Sequence, residues 1–228
     1  MTGIGNPTPA RYTSVAIALH WSIAALVVLN LAVGWWMEDL VEPYRTLVVR
    51  LHQSSGMTVL VLALLRIGWR LTHRPPPFDA DLSRIERMAA SVVHFALYAA
   101  MLGLPLSGWA LISANPPRYV ESTAGKGSPV QAKPFRQQKY IMLWGIVPLR
   151  PIGPIQDIAR LPGGVAKQEE LHERIVSAHA AAGYLMLALI VIHMLGALKH
   201  QFLDRKGELY RMGLARFGRR PILRKRDR

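Results

Sequence analysis

Two histidines on one apolar segment give the clearest chemical signal in the sequence. His179 and His193 lie within residues 175–200, a stretch that is almost entirely apolar. Read as a helix, their spacing of fourteen residues returns to within about 40° of the same face and spans roughly 21 Å of helix axis. A histidine inside hydrocarbon is costly unless it has a partner, so each one predicts a functional site, one near each end of the segment.

Three other segments share this length and hydrophobicity and could supply the partners. The four apolar stretches cover residues 13–37, 51–71, 88–114 and 175–198, and each reaches the roughly 20 residues that a helix needs to cross a bilayer core. The sequence therefore predicts an all-α integral membrane protein, a four-transmembrane-helix bundle within residues 13–203. The remaining parts are an N-terminal segment 1–12, a long connection 115–174 and a basic tail 204–228.

Composition excludes several kinds of metal site. No cysteine occurs among the 228 residues, which excludes disulfides, thiolate-held iron–sulfur clusters, blue-copper sites and covalent c-type haem. Any metal must therefore be held by His, Met or carboxylate side chains, and the chain has 8 histidines. The net charge of +14 comes from basic residues beside apolar segments, with no nucleic-acid-binding motif. We therefore expect membrane lipid as a partner and no nucleic acid.

The distribution of charge predicts the topology. From residue 199 onward the chain carries eleven Lys or Arg against three acids, whereas residues 38–50 carry three acids against two arginines. Cytoplasmic segments are enriched in Lys and Arg, so both termini are expected in the cytoplasm and the connection 115–174 on the periplasmic side. Within that connection, the short apolar piece 140–149 is expected to lie along the interface or to cap the bundle.

This topology groups four histidines into two pairs at two depths. His20 and His193 are expected near the inner face, and His52 and His179 near the outer face. Haem iron takes axial ligands from the two sides of a flat ring, and facing helices of a bundle can supply them. Zinc would need four compact ligands, and neither depth offers a cysteine or a carboxylate. We therefore predict two haem b groups between the helices, each with bis-histidine ligation.

Other polar side chains are candidates for contacts with a cofactor. His94 lies at about the depth of the inner pair, where it would compete as a ligand or donate a hydrogen bond to a haem propionate or a quinone. His200 is either an interfacial side chain or part of a quinone or proton site. His172, within KQEELHER, is expected to be solvated. Arg66 and Arg70 fit cytoplasmic anchors, with haem propionates as alternative partners.

Four stretches of the chain together carry a family resemblance. They are ALHWSIAALVV at 18–28, RLHQSSGMTVLVLALLRIGWRL at 50–71, HFALYAAMLGLPLSGW at 94–109 and HMLGALKHQF at 193–202. Together they resemble the bacterial cytochrome b561 family, which is related to the b-type cytochrome subunits of nickel–iron hydrogenases. The resemblance implies a multi-pass protein of the bacterial inner membrane and the same ligand pairs, His20 with His193 and His52 with His179.

The resemblance also implies a function. In that family the best understood activity is oxidation of superoxide to oxygen, with the electrons passed to ubiquinone. This chain would then be a superoxide:ubiquinone oxidoreductase. Otherwise it is an electron-transfer protein with a redox partner protein. A positive outer surface would attract an anionic donor, and its candidate residues are Lys126, Lys133, Arg136 and Lys139. One alternative is a haem-bearing anchor and electron relay for a separate dehydrogenase or hydrogenase. Another is a proton-coupled transporter without haem, whose histidines relay protons.

Overall fold

The computed structural model describes residues 11–77, 82–116, 119–120, 133–134, 140–204 and 208–214. The helices in these residues are α1 Ser14–Trp36, α2 Tyr44–Thr72, α3 Arg84–Ser113, α4 Gly153–Gln156, α5 Gly164–Leu198 and α6 Glu208–Arg211. A 3-10 turn at Asp157–Arg160 follows α4, and a π-helical turn at Lys199–Leu203 continues α5. The described strands form antiparallel pairs: β1 Tyr119–Val120 with β2 Lys133–Pro134, and β3 Ile141–Leu143 with β4 Val147–Leu149.

The long helices have the surface of a membrane protein. Within the described part of the chain, four helices are long and apolar enough to cross a membrane: α1, α2, α3 and α5 with its π-helical continuation. Large apolar side chains on them stay uncovered, including Leu29 at 54% exposure, Phe95 at 76% and Val191 at 46%. Hydrocarbon around the helices accounts for such a surface, whereas water does not. The predicted fold class, an all-α membrane protein with four spanning helices, is confirmed.

Polar side chains fix where the helices begin. The hydroxyl of Thr13 accepts a hydrogen bond from the Ala16 amide and caps α1. Ahead of α3, the Ser83 hydroxyl accepts from the Glu86 amide, while the Glu86 carboxylate accepts from the Ser83 amide. This reciprocal arrangement satisfies two amides that have no partner inside the helix. Thr13 lies just before an apolar run, so α1 and the first predicted span start together, whereas α3 begins four residues before its predicted span at 88.

Two helices begin well before their predicted spans. The prediction begins the second span at residue 51 and the fourth at 175, whereas α2 begins at Tyr44 and α5 at Gly164. The early turns of α5 are held by Gln168, which is fully buried. Its amide accepts from the Ala159 backbone and donates to the Asn115 carbonyl. Hydropathy marks only the membrane-crossing part of such a helix, because the extra turns carry charged residues.

The chain divides into two compact units, and each of the four long helices contributes one stretch to each. Unit 1 comprises Met1–Ala25, Leu62–Ala99 and Leu187–Arg228, and unit 2 comprises Leu26–Val61 and Ala100–Met186. The predicted inner pair, His20 and His193, therefore belongs to unit 1. The predicted outer pair, His52 and His179, belongs to unit 2.

The short apolar piece 140–149 is a β-hairpin packed on α2. Trp144 and Gly145 occupy its turn with positive φ values of 53° and 74°, as in a type I′ turn. The Trp144 amide donates to the Ser54 hydroxyl at 2.9 Å, and its indole donates to Thr58 at 3.1 Å. These bonds hold Trp144 in the left-handed backbone conformation, which residues other than glycine seldom adopt. The hairpin thereby covers the first half of α2 in unit 2.

Some predicted features lie outside the described residues. Of the four basic residues proposed to attract an anion, Lys126, Arg136 and Lys139 are not described, and only the backbone of Lys133 is. Residues 1–10 and 215–228, most of the predicted N-terminal segment and basic tail, are not described either. The assignments made for these residues stay predictions.

Candidate functional site

Unit 2 brings two of the predicted ligands face to face. The imidazole centroids of His52 on α2 and His179 on α5 lie 6.3 Å apart, with ring planes at 76°. Two imidazoles that bind one metal from opposite sides, with metal–nitrogen bonds of about 2.0 Å, have centroids about 6.3 Å apart. Rings that only pack edge to face also have centroids about 4.5–7 Å apart, so this distance alone does not distinguish packing from ligation. The hydrogen bonds of the ring nitrogens distinguish the two interpretations.

The nitrogen atoms of His179 are arranged as in a metal ligand. The Ser107 hydroxyl of α3 lies 2.8 Å from His179 Nδ1 and donates its single hydrogen to the Leu104 carbonyl. A hydroxyl that donates to this carbonyl accepts from Nδ1, and in that tautomer the proton lies on Nδ1 and the Nε2 lone pair is free. Histidines that bind metals hold their second nitrogen in this way, because the bond fixes both tautomer and ring orientation.

The environment of His52 differs in one respect. Its Nδ1 is buried and has no partner in hydrogen-bond geometry among the described residues. The backbone carbonyl of Asn30 on α1 is the neighbouring acceptor. A buried polar nitrogen without a hydrogen bond costs free energy, so the Asn30 carbonyl is the expected acceptor for a proton on His52 Nδ1. A proton on Nδ1 would leave the Nε2 lone pair of His52 free.

Two glycines make room for these rings. A Cβ at Gly34 would lie 3.4 Å from His52 Cε1, and a Cβ at Gly108 would lie 3.4 Å from His179 Cε1. Gly34 follows Asn30 by one helical turn on α1, and Gly108 follows Leu104 by one turn on α3. The two imidazoles thus pack in equivalent ways against the backbones of two different helices.

Two further glycines leave space beside the same histidines. Gly56 and Gly183 each lie four residues after a predicted ligand, His52 and His179, and therefore on nearly the same helix face. A Cβ built at either glycine would meet no heavy atom within 4 Å among the described residues. Such open space beside two facing imidazoles fits a flat ring such as a porphyrin.

Unit 1 contains the second predicted pair. The ring centroids of His20 on α1 and His193 on α5 also lie 6.3 Å apart, with planes at 71°. Gly196, three residues after His193, again leaves a Cβ without neighbours within 4 Å among the described residues. The two pairs thus share one distance and nearly one interplanar angle, although different helix segments hold them.

His94 lies beside the pair in unit 1. Its centroid is 5.1 Å from that of His193, which is too short for two ligands on opposite sides of one metal. Its Nδ1 lies 2.7 Å from the Ala90 carbonyl, to which it donates. Between His94 and His20, the geometry favours His20 as the partner of His193.

Arg66 connects three helices near this pair. Its guanidinium donates to the Tyr98 hydroxyl at 3.1 Å and to the Ala16 carbonyl at 2.9 Å.

His200 belongs to an ionic cluster on the π-helical turn. Its Nδ1 lies 2.6 Å from the Asp204 carboxylate, and the Lys199 ammonium bonds both Asp204 and Glu86. Hydrogen bonds from His200 and Lys199 hold the pKa of Asp204 below its ordinary value. Glu86, His200 and Asp204 are close enough to share a metal ion, but the Lys199 ammonium already bonds both carboxylates. The quinone or proton role of His200 stays a prediction.

Four histidines and one methionine recur at regular intervals along α5 and its π-helical continuation. His172, His179, Met186, His193 and His200 follow one another at intervals of seven residues, which keeps them near one helix face. Contrary to the expected solvation of His172, its Nδ1 is buried and without a hydrogen-bond partner among the described residues. The interval was present in the sequence, whereas the roles of Ser107, Gly34 and Gly108 depend on contacts between helices and had no signal there.

Comparison with known proteins gives a consistent result. Along 209 residues the chain is 28% identical to cytochrome b561 homolog 2 of Escherichia coli K12, covering 90% of this chain and 92% of the relative. It is 27% identical over 106 residues to the probable superoxide oxidase CybB of Yersinia pestis, covering 45% and 58%. It is 43% identical over 103 residues to cytochrome b562 of Cereibacter sphaeroides, covering 42% and 63%.

The family assignment rests on a match of nearly the whole chain. Residues 11–214 match the family described as prokaryotic cytochrome b561, and they include the four spanning helices and all six histidines discussed as cofactor contacts. This family implies b-type haem, and the two histidine pairs offer donors of the type that haem b needs. The protein is a membrane b-type cytochrome of bacterial type and belongs to the prokaryotic cytochrome b561 family.

Proposed function

We propose that this protein is a di-haem b cytochrome that passes electrons from a donor outside the bacterial inner membrane to membrane quinone. The observation that supports it best is the repeated geometry of two histidine pairs, each with centroids 6.3 Å apart. In this proposal His52 and His179 bind the outer haem, and His20 and His193 bind the inner haem. Both termini lie in the cytoplasm, as the basic tail favours.

The residues around each pair would prepare it for ligation. Haem b, when bound, supplies a one-electron carrier that neither the histidines nor the aromatic residues provide. The Ser107 hydroxyl holds the His179 proton on Nδ1, so the opposite nitrogen keeps its lone pair. The glycines beside the rings leave space for a flat group, and the apolar spans exclude water from it. Because α5 carries one ligand of each pair, one helix would link both sites.

Superoxide is the donor that the observations favour. A relative is named a probable superoxide oxidase, and the connection between α3 and α5 carries nine Lys or Arg against five acids over residues 116–174. A positive surface concentrates a small anion and speeds its encounter. Two superoxide anions would each lose one electron to become oxygen, and one quinone would take both electrons with two protons. An electron-relay subunit would instead need a protein donor.

Reduction by superoxide tests this proposal directly. We expect purified, quinone-loaded protein to show haem reduction in its optical spectrum when superoxide is generated in the solution. Added superoxide dismutase should abolish the signal, and raising ionic strength from about 0.01 to 0.15 M should slow it severalfold, because salt shortens the range of electrostatic attraction. Absence of reduction would exclude superoxide as the donor. Reduction at a rate independent of salt would exclude electrostatic attraction.

Loss of the Ser107 hydroxyl should change the electronic properties of one haem. Ser107→Ala removes the acceptor of the His179 Nδ1 proton, which lowers the basicity of the imidazole as a ligand. We expect the midpoint potential of one haem to rise by on the order of tens of millivolts while the other stays unchanged. Ser91→Ala on the same helix is the control, because among the described residues its exposed hydroxyl bonds only to the Arg87 carbonyl. The measurement is a redox titration of both variants. The prediction is wrong if Ser107→Ala and Ser91→Ala show the same midpoint potentials.

A further inference from the structure

A cavity rich in arginine lies in unit 1, and none of the four predicted ligands is among the described residues that line it. It has a volume of about 340 Å³ and is bounded by the start of α1, the end of α2 and Tyr98 of α3. Its arginines are Arg11, Arg66, Arg70 and Arg74. None of the described residues that line it is an Asp or a Glu. The volume is in the range of sites for small organic ligands and exceeds what a single ion needs.

The positive charges in this cavity are not neutralised within the described part of the chain. None of the four arginines forms an ion pair there. Arg66 is engaged by the Tyr98 hydroxyl and a backbone carbonyl, Arg70 lies 5.9 Å from the Tyr98 ring centroid, and Arg11 lies 5.1 Å from the Tyr210 ring centroid. Like charges held around one cavity repel each other, so an anion placed between them would be stabilised.

The aromatic walls place the cavity at the edge of the membrane. Trp69 stacks on His73 with centroids 3.7 Å apart and planes at 5°. The Trp69 indole donates to the Thr13 hydroxyl, which caps α1. Tryptophan concentrates at the level of lipid headgroups, and the apolar run of α2 ends here. The amino-terminal end of α1 adds the positive end of its helix dipole to the same region.

We infer that this cavity binds a phosphate oxyanion, carried by an anionic phospholipid headgroup or present as free phosphate. Guanidinium groups bind phosphate with two parallel hydrogen bonds, and basic pockets between spanning helices bind anionic headgroups. The stacked Trp69 and His73 would pack against the glycerol part of a lipid. None of the four predicted ligands is among the described residues that line the site, so the inference does not depend on the function proposed above.

Lipid binding by the intact haem-loaded protein tests the inference. Arg70→Gln/Arg74→Gln removes two cavity charges, and Arg50→Gln/Arg84→Gln removes two exposed arginines that do not line it. Native mass spectrometry in a neutral detergent would measure binding of phosphatidylglycerol and of phosphatidylcholine, and calorimetry would measure inorganic phosphate. We expect the cavity variant to bind phosphatidylglycerol about 25-fold more weakly, at about fivefold per arginine, with the control pair unchanged.

The outcomes separate the two sources from the alternatives. Phosphatidylglycerol binding with this dependence supports a lipid source, whereas inorganic phosphate binding with the same dependence and no lipid preference supports a free anion. Two results would overturn the site: equal binding of phosphatidylglycerol and phosphatidylcholine, or an equal loss of lipid binding in the cavity pair and the control pair. Either result would mean that binding depends on the general positive charge at the membrane edge and not on this cavity. A cavity variant that loses haem would also overturn it, since the arginines would then serve the haem propionates.

Discussion

Replacing His52 by alanine is expected to leave the purified protein with one haem instead of two, and so is replacing His193. The two variants should lose different haems, because His52 faces His179 in unit 2 and His193 faces His20 in unit 1. An alanine cannot supply a nitrogen ligand, and the remaining histidine would have to hold the iron alone. The measurement is haem quantitation per protein chain, together with a reduced-minus-oxidised spectrum and a redox titration.

Two histidines outside the pairs provide the controls. His94→Ala on α3 and His172→Ala on α5 each remove an imidazole but should keep both haems, because neither ring faces a second one at 6.3 Å. Loss of the same haem in His52→Ala and His193→Ala would show that the pairing is wrong. Loss of a haem in His94→Ala with retention in His20→Ala would assign the ligand of His193 to α3.

The sequence could predict the pairs because both charge and spacing constrain depth. The basic tail and the acidic 38–50 connection predict the orientation of the spans, and that orientation pairs His20 with His193 and His52 with His179. Depth alone could not separate His20 from His94, since both lie at one level. The structure separates them by distance, 6.3 Å against 5.1 Å from His193.

Contacts between helices set the limit of prediction from sequence. Ser107, Gly34 and Gly108 act through the rotation and approach of neighbouring helices, which periodicity along one helix does not specify. The early start of α5 has the same cause, because the buried Gln168 bonds to the Ala159 amide nine residues before it and to the Asn115 carbonyl 53 residues before it. The 140–149 hairpin was predicted only as a cap or interfacial piece, since its bonds come from Ser54 and Thr58 on α2.

Enlarging Gly108 is expected to displace His179 and remove the outer haem. A Cβ here already lies 3.4 Å from the ring, so Gly108→Ala makes an ordinary contact and should keep both haems. Valine adds two methyl groups and is almost confined to one χ1 rotamer in a helix, so it cannot turn both of them away. Overpacking of this kind costs about 1–3 kcal/mol, enough to move a ring that must meet its partner at one distance.

The control for this prediction lies on the same helix. Gly103→Val introduces the same side chain where a Cβ would meet no heavy atom within 4 Å among the described residues, so both haems should remain. Gly34→Val should reproduce the effect of Gly108→Val from the other side, because Gly34 contacts His52 as Gly108 contacts His179. Haem quantitation and thermal unfolding of the four variants distinguish a local effect from a folding defect. Retention of two haems by both Gly34→Val and Gly108→Val would mean that the imidazoles do not pack against these glycines when haem is bound.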